Sequence, residues 1–182
     1  MVSQCNPENA TNTITAHPYK GTKNLNGSKK FNSGHKLIDS YAQKNLRAQA
    51  KSPGSGVTVL LDNDDEEKLA GYFTITAHSL CRSNFANSNS DVGKTPLIPV
   101  VRLVMLGVDK KHQGKGLGKR LMRLALENTK RVALEINCVG MYLEADSDAV
   151  DFYSKLGFEA LTEPHEDTGN VHMFLHLDKI PN

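Results

Sequence analysis

The run Val108-Asp109-Lys110-Lys111-His112-Gln113-Gly114-Lys115-Gly116-Leu117-Gly118 constrains the fold more than any other part of the chain. It follows a nearly continuous apolar stretch at residues 100–108, interrupted by Arg102. It precedes a helical pattern over residues 116–131, with Leu117, Leu121, Leu124 and Ala125 on one face. A buried strand therefore runs through a glycine-rich turn into an amphipathic helix. Such a turn suits an anion. The first amides of a helix have no internal partner, and the helix end carries about half a positive charge. Glycine lets the backbone approach a phosphate without interference from Cβ. Spacing excludes two phosphate motifs. A P-loop ends in Gly-Lys-Ser or Gly-Lys-Thr, whereas Gly118 is followed by Lys119-Arg120. A Rossmann turn needs G-x-G-x-x-G, and these glycines stand at 114, 116 and 118. Taken alone, the turn is equally consistent with tight packing.

The rest of the chain supplies the elements around this turn. Residues 1–30 are poor in apolar side chains and read as a loose arm, with at best one short strand near residues 13–16. Residues 31–182 read as one domain. Leu37, Ile38, Tyr41, Ala42 and Leu46 predict a helix over 35–50, ended by Pro53, Gly54 and Gly56. Residues 57–61 and 69–77 read as the strands of a hairpin. Residues 78–97 read as a loop of a length that is often functional. A strand is predicted at 140–145, then a helix at 148–156 presenting Ala149, Phe152, Tyr153 and Leu156 along one side. Gly157 stands at that helix's C-terminal cap. Val171, Met173, Leu175 and Leu177 alternate as in a half-buried strand. Strands and helices alternate in the second half. The class is α/β (or α+β), with a central mixed β-sheet flanked by helices.

Composition narrows the setting. At 182 residues the chain can bury a full core. No run approaches the ~18 apolar residues of a membrane span, and the N-terminus has no apolar leader segment. A cytoplasmic protein without membrane contact is expected. Cys5, Cys81 and Cys138 are odd in number and widely spaced, which argues against both a disulfide framework and a metal site. The glycosylation-like triplets at Asn9 and Asn26 are read as chance matches. The net charge of +2 does not by itself announce a nucleic-acid binder. Its distribution is uneven, however. Lys20, Lys23, Lys29, Lys30, Lys36, Lys44, Arg47 and Lys51 face one carboxylate, Asp39, within residues 19–51. That stretch is either a solvated surface or a polyanion contact.

Two motifs together decide between packing and phosphate. Gln113-Gly114-Lys115-Gly116-Leu117-Gly118 resembles the Q/R-x-x-G-x-G/A signature of the GNAT acetyltransferases. Asp146-x-x-Ala149-x-x-Phe152-Tyr153-x-x-x-Gly157-Phe158 resembles that family's second motif, N-x-x-A-x-x-[FL]-Y-x-x-x-G-F, in the right order and spacing. The likeness covers roughly residues 57–177 and implies the GNAT fold, with acetyl-CoA as co-substrate. It implies that the backbone of Gln113, Gly114, Lys115, Gly116, Leu117 and Gly118 binds the CoA pyrophosphate. It also implies that the strand end Leu106, Gly107 and Val108 pairs with the pantetheine arm, and that Tyr153 is catalytic. Tyr153 would donate a proton to the leaving thiolate, help typically worth ~10²–10⁴-fold. Periodicity alone would make Tyr153 a core aromatic. Asp146 departs from the family's Asn. It can cap the following helix equally well, but when ionised it cannot donate a hydrogen bond to pantetheine.

The front of the chain carries a second likeness. Phe31-Asn32-Ser33-Gly34, Leu37, Tyr41-Ala42, Asn45, Gly56-Val57-Thr58-Val59 and Ala70-Gly71-Tyr72-Phe73 resemble the GNAT toxins of bacterial toxin–antitoxin pairs. That resemblance implies acetylation of the α-amine of aminoacyl-tRNA, which blocks translation. It also implies a small ribbon-helix-helix antitoxin as partner, and it allows a homodimer. Lys36, Lys44 and Arg47 would then meet tRNA phosphates. The alternative is a GNAT that acetylates a small amine, a peptide or a protein N-terminus. An α-amine titrates near pH 8 against ~10.4 for lysine, so the toxin substrate needs no strong base. His78, His112, Glu144 and His172 are candidates for a base by residue type alone.

Overall fold

The computed structural model describes residues 13–86 and 88–180. Residues 1–12 of the expected arm, with Cys5 and Asn9, lie outside the described residues. The remainder of that arm is built into the fold. β1 (Ile14–Pro18) pairs antiparallel with β2 (Ser55–Asp62), and Tyr19 and Phe31 are buried. β2 pairs antiparallel with β3 (Lys68–Cys81), which pairs antiparallel with β4 (Leu97–Val108). The second half adds β5 (Gly140–Ala145), β6 (Glu159–Ala160) and β7 (Val171–His176). The sheet order is β1-β2-β3-β4-β5-β7-β6, and β4 and β5 are parallel neighbours.

Alternation along these strands sends side chains to two different cores. Phe73, Val101, Leu103, Met141, Leu143, Met173 and Leu175 face helix α3 (Leu117–Ile136), whose Leu117, Leu121, Met122 and Ala125 are buried. The opposite face is covered over β2 and β3 by a helical segment made of α1 (Lys36–Ser40), a π-helical turn (Tyr41–Asn45) and α2 (Leu46–Lys51). Farther along that face, Leu80, Phe85, Ile98, Val100, Tyr142 and Phe174 form a third cluster. The last helix, α4 (Val150–Ser154), follows a 3₁₀ turn at Ser147–Ala149, and Gly157 after it takes φ 93°.

Several boundaries differ from the sequence expectation. β3 runs to Cys81 and β4 begins at Leu97, so the predicted 78–97 loop shrinks and begins with a 3₁₀ turn at Arg82–Phe85. His78 and Ser79 pair with Val100 and Pro99, so ladder bonds extend a segment whose polar side chains had read as loop. β6 is two residues long, too short to leave a period. α3 extends to Ile136, five residues past the predicted end.

A cleft between two diverging strands

Two features of β4 create the site. Its pairing with β5 stops after Val101↔Met141, Arg102↔Tyr142 and Leu103↔Leu143. On its other side the register with β3 slips between Thr74↔Met105 and Ile75↔Leu103, leaving Val104 as a bulge. A bulge bends its strand and ends regular pairing. Beyond it the β5-facing edge of residues 104–108 has no strand partner among the described residues. The strands splay there around a cleft of about 470 Å³. Val104, Met105 and Leu106 line one wall, Leu143, Glu144 and Asp146 the other, and His35, Ala149 and Tyr153 also contribute.

At one end of this edge lies the glycine turn. Gly114 and Gly116 take φ 74° and 78°, and a Cβ at either would meet nothing within 4 Å. Both therefore need left-handed backbone, which favours glycine, and both face open space. Gly118 has no such φ, and a Cβ there would lie 3.9 Å from Phe152. Gly107 is needed for another reason, because a Cβ would run into Ile38 and the Tyr72 ring. The turn is anchored from outside. The Gln113 carboxamide donates to Val108 O (3.0 Å) and Ser33 O (2.8 Å), and Lys110 N donates to Asn32 O (2.8 Å). The Gln113 N–H donates to Lys110 O at 3.3 Å. Gln113 thus shapes the turn, and the outward amides belong to the residues after it. Lys115, Lys119, Arg120 and Arg123 surround the opening.

At the other end stands Tyr153. Its ring packs edge-on against Phe152 (5.1 Å) and Phe158 (5.7 Å), and burial pushes the phenol up to about 12. It is therefore a protonated donor at neutral pH. Asp146 caps the turn ahead of α4 by accepting from Asp148 N (3.3 Å), and it also meets His35 Nε2 at 3.2 Å. That backbone N–H, with help from His35, holds its carboxyl below the usual range. Asp146 therefore stays ionised at neutral pH. Its contact with His35 ties the start of α1 across the mouth of the cleft.

On the sheet face away from α3 the cleft floor is polar. Arg102 Nη2 donates to Glu144 Oε1 (2.7 Å), which also accepts from Tyr142 OH (3.2 Å). The His78 ring stacks on Tyr142 (5.7 Å, 19° between planes), and His172 meets it edge-on (5.6 Å). Three of the four base candidates named by type thus gather around one tyrosine. The fourth, His112, lies elsewhere, 3.6 Å from Asp62. Tyr142 is raised by burial and then by the Glu144 carboxylate. Sequence reasoning singled out neither Arg102 nor Tyr142 as a site residue. Arg102's interruption of an apolar run was the available signal.

The predicted polyanion residues separate. Lys44 and Arg47 line an open groove of about 700 Å³ together with Lys29, Lys30 and Lys68. Arg47 also pins the preceding segment through Gly21 O (3.1 Å) and Asn24 Oδ1 (2.6 Å). Lys36, exposed in the first turn of α1, is not part of that groove lining. Among the described residues no His, Cys, Asp and Glu cluster could hold a metal ion.

Comparison with known proteins bears on this cleft. A family model described as an acetyltransferase (GNAT) domain matches residues 36–177. A tRNA-acetylating toxin of Mycobacterium tuberculosis is 28% identical over 130 residues, spanning 71% of this chain and 76% of that protein. Two plant acetyltransferases also match, and this chain spans 39% of their length. A solved bacterial toxin superposes with a TM-score of 0.86 at 30% identity over 92% of both chains. AtaT complexed with acetyl-methionyl-tRNAfMet superposes with a TM-score of 0.77, over 92% of this chain and 96% of that one. At 22% identity, that likeness is one of fold.

Proposed function

The chain belongs to the GNAT family of acetyltransferases, and on that premise we propose that it is a toxin that transfers acetyl from acetyl-CoA to the α-amine of aminoacyl-tRNA. The observation that carries the transfer reading is the cleft itself. A bare strand edge joins an open glycine turn to a half-buried, protonated phenol. Acetyl-CoA supplies an activated thioester. The turn amides after Gln113 suit its pyrophosphate, and the strand edge running through Leu106 and Gly107 to Val108, whose carbonyl Gln113 already engages, suits the amides of its pantetheine arm. The neutral amine adds to the carbonyl carbon, the tetrahedral adduct loses an amine proton to water and collapses with cleavage of the C–S bond, and Tyr153 protonates the departing thiolate and is reprotonated from solvent. An α-amine near pH 8 has enough neutral fraction to attack without a strong base.

The tRNA substrate is supported by likeness to the tRNA-acetylating toxin and by the basic groove holding Lys44 and Arg47. A ribbon-helix-helix antitoxin and a cytoplasmic location complete this reading. A second reading, acetylation of a small amine or a peptide N-terminus, draws on one observation. Glu144, Asp146 and Asp148 all line the cleft, which would suit a cationic substrate. Glu144 is neutralised by Arg102, however, and Asp146 is engaged by His35, which weakens that attraction. The test is growth. Induced expression in a bacterium should arrest it, and Tyr153→Phe should relieve the arrest. Unimpeded growth at a verified level of folded protein would contradict the toxin reading.

A further inference from the structure

Arg102 sits where β4 is otherwise apolar, at the point where pairing with β5 ends. Its surroundings do not satisfy it. Nη2 is engaged by Glu144, but Nε is buried and has no hydrogen-bond partner. A buried unpaired donor is costly and calls for an explanation. The Arg102 and Glu144 side chains are also 34% and 35% exposed, and they open into the same cleft as Tyr153. A cation and an anion therefore stand side by side at the cleft floor, with the Arg102 guanidinium 6.0 Å from the centre of the Tyr142 ring. Nη2 gives one of its two hydrogens to Glu144, and no described residue takes a hydrogen bond from Nη1.

We infer that Arg102, held by Glu144, is a specificity-determining residue for the acceptor. The unpaired Nη1 donates to the acyl carbonyl of an α-aminoacyl group, and the adjacent carboxylate accepts from its α-amine. An α-aminoacyl ester carries an amine and a carbonyl on neighbouring carbons, the same adjacency the ion pair presents. A lysine side chain or a simple alkylamine carries the amine alone. The pair thus discriminates by the carbonyl, because a donor built for it is left unpaired by a substrate that lacks it. This inference rests on the reading of the cleft as an acetyl-transfer site, and it names the chemistry of the acceptor.

The test uses the full chain, acetyl-CoA, an amino acid methyl ester and the alkylamine of matching length without the carbonyl. Each kcat/KM is expressed per neutral amine. Wild type should favour the ester. Arg102→Met should cut the ester-to-amine ratio roughly tenfold to hundredfold, the loss of a hydrogen bond from a charged donor. Arg102→Lys should recover part of it, since it keeps the charge but not the planar fork. Glu144→Gln, which releases the guanidinium, should also lower the ratio. Calorimetric acetyl-CoA affinity serves as the control for folding. A wild-type ratio near one, or equal losses on both substrates in Arg102→Met, overturns the inference. Charged tRNA separates the two claims. If the ester is acetylated selectively and charged tRNA is untouched, the tRNA reading falls and the role of Arg102 stands. If Arg102→Met acetylates charged tRNA at the wild-type rate, the role of Arg102 falls and the tRNA reading stands.

Discussion

The two ends of the cleft are made of different material. The end proposed for the phosphates is backbone, with amides freed by a helix start and a turn whose Gly114 and Gly116 need positive φ. The end proposed for the acceptor is side chain, with Tyr153 on α4, Arg102 on β4 and Glu144 on β5. Backbone recognition suits a ligand part that never varies. Side-chain recognition can be retuned without disturbing the sheet. Mutation should therefore fail differently at the two ends, in binding at one and in turnover at the other.

The largest expected effect is at the backbone end. Gly116→Val should abolish acetyl-CoA binding by calorimetry. It forces a β-branched residue to φ 78° and places a side chain in the open space before the turn. Gly118→Ala should be milder, since that position has ordinary φ and room at 3.9 Å. Unchanged affinity in Gly116→Val would remove the pyrophosphate from this turn.

Next comes the side-chain end. Tyr153→Phe should lower kcat by ~10²–10⁴-fold and leave acetyl-CoA affinity in place. The phenol sits near 12 against an ordinary 10, so the folded chain holds this proton more tightly than the unfolded one. Its contribution to stability is complete below pH 10 and is lost as pH rises toward 12. The donor therefore survives across neutral pH, and an alkaline fall in rate below pH 9 must come from another group. Equal single-turnover rates for wild type and variant would return Tyr153 to the core.

The smallest effect lies outside the cleft. Neutralising Lys36, Lys44 and Arg47 together should weaken charged-tRNA binding and flatten its dependence on salt, because fewer counterions are released. Lys44 should matter most per charge, because it lines the groove. Lys36 lies off that lining, and Arg47 is already tethered to Gly21 and Asn24. An unchanged salt slope would mean that the polynucleotide contacts a different face.

The same contrast explains what the sequence could tell. Backbone sites leave local signatures, because positive φ demands glycine at fixed spacing. Gly114 and Gly116 were legible for that reason, and so was Gly157. Tyr153 was legible through the motif around it. The Arg102 cluster joins β3, β4, β5 and β7, so its members lie up to 94 positions apart, from His78 to His172. No periodicity within one element records that meeting. The β4 bulge at Val104 was equally silent, since it is a slip between two ladders rather than a residue type. The first strand was half legible, with polar neighbours masking its place at the sheet edge beside β2.

The most direct test of the account is mass spectrometry of aminoacyl-tRNA after incubation with the purified chain and acetyl-CoA. The expected product carries one acetyl group on the α-amine of the aminoacyl moiety, and uncharged tRNA carries none. A panel of charged tRNAs left unmodified, while a small amine or peptide is acetylated rapidly, would contradict it.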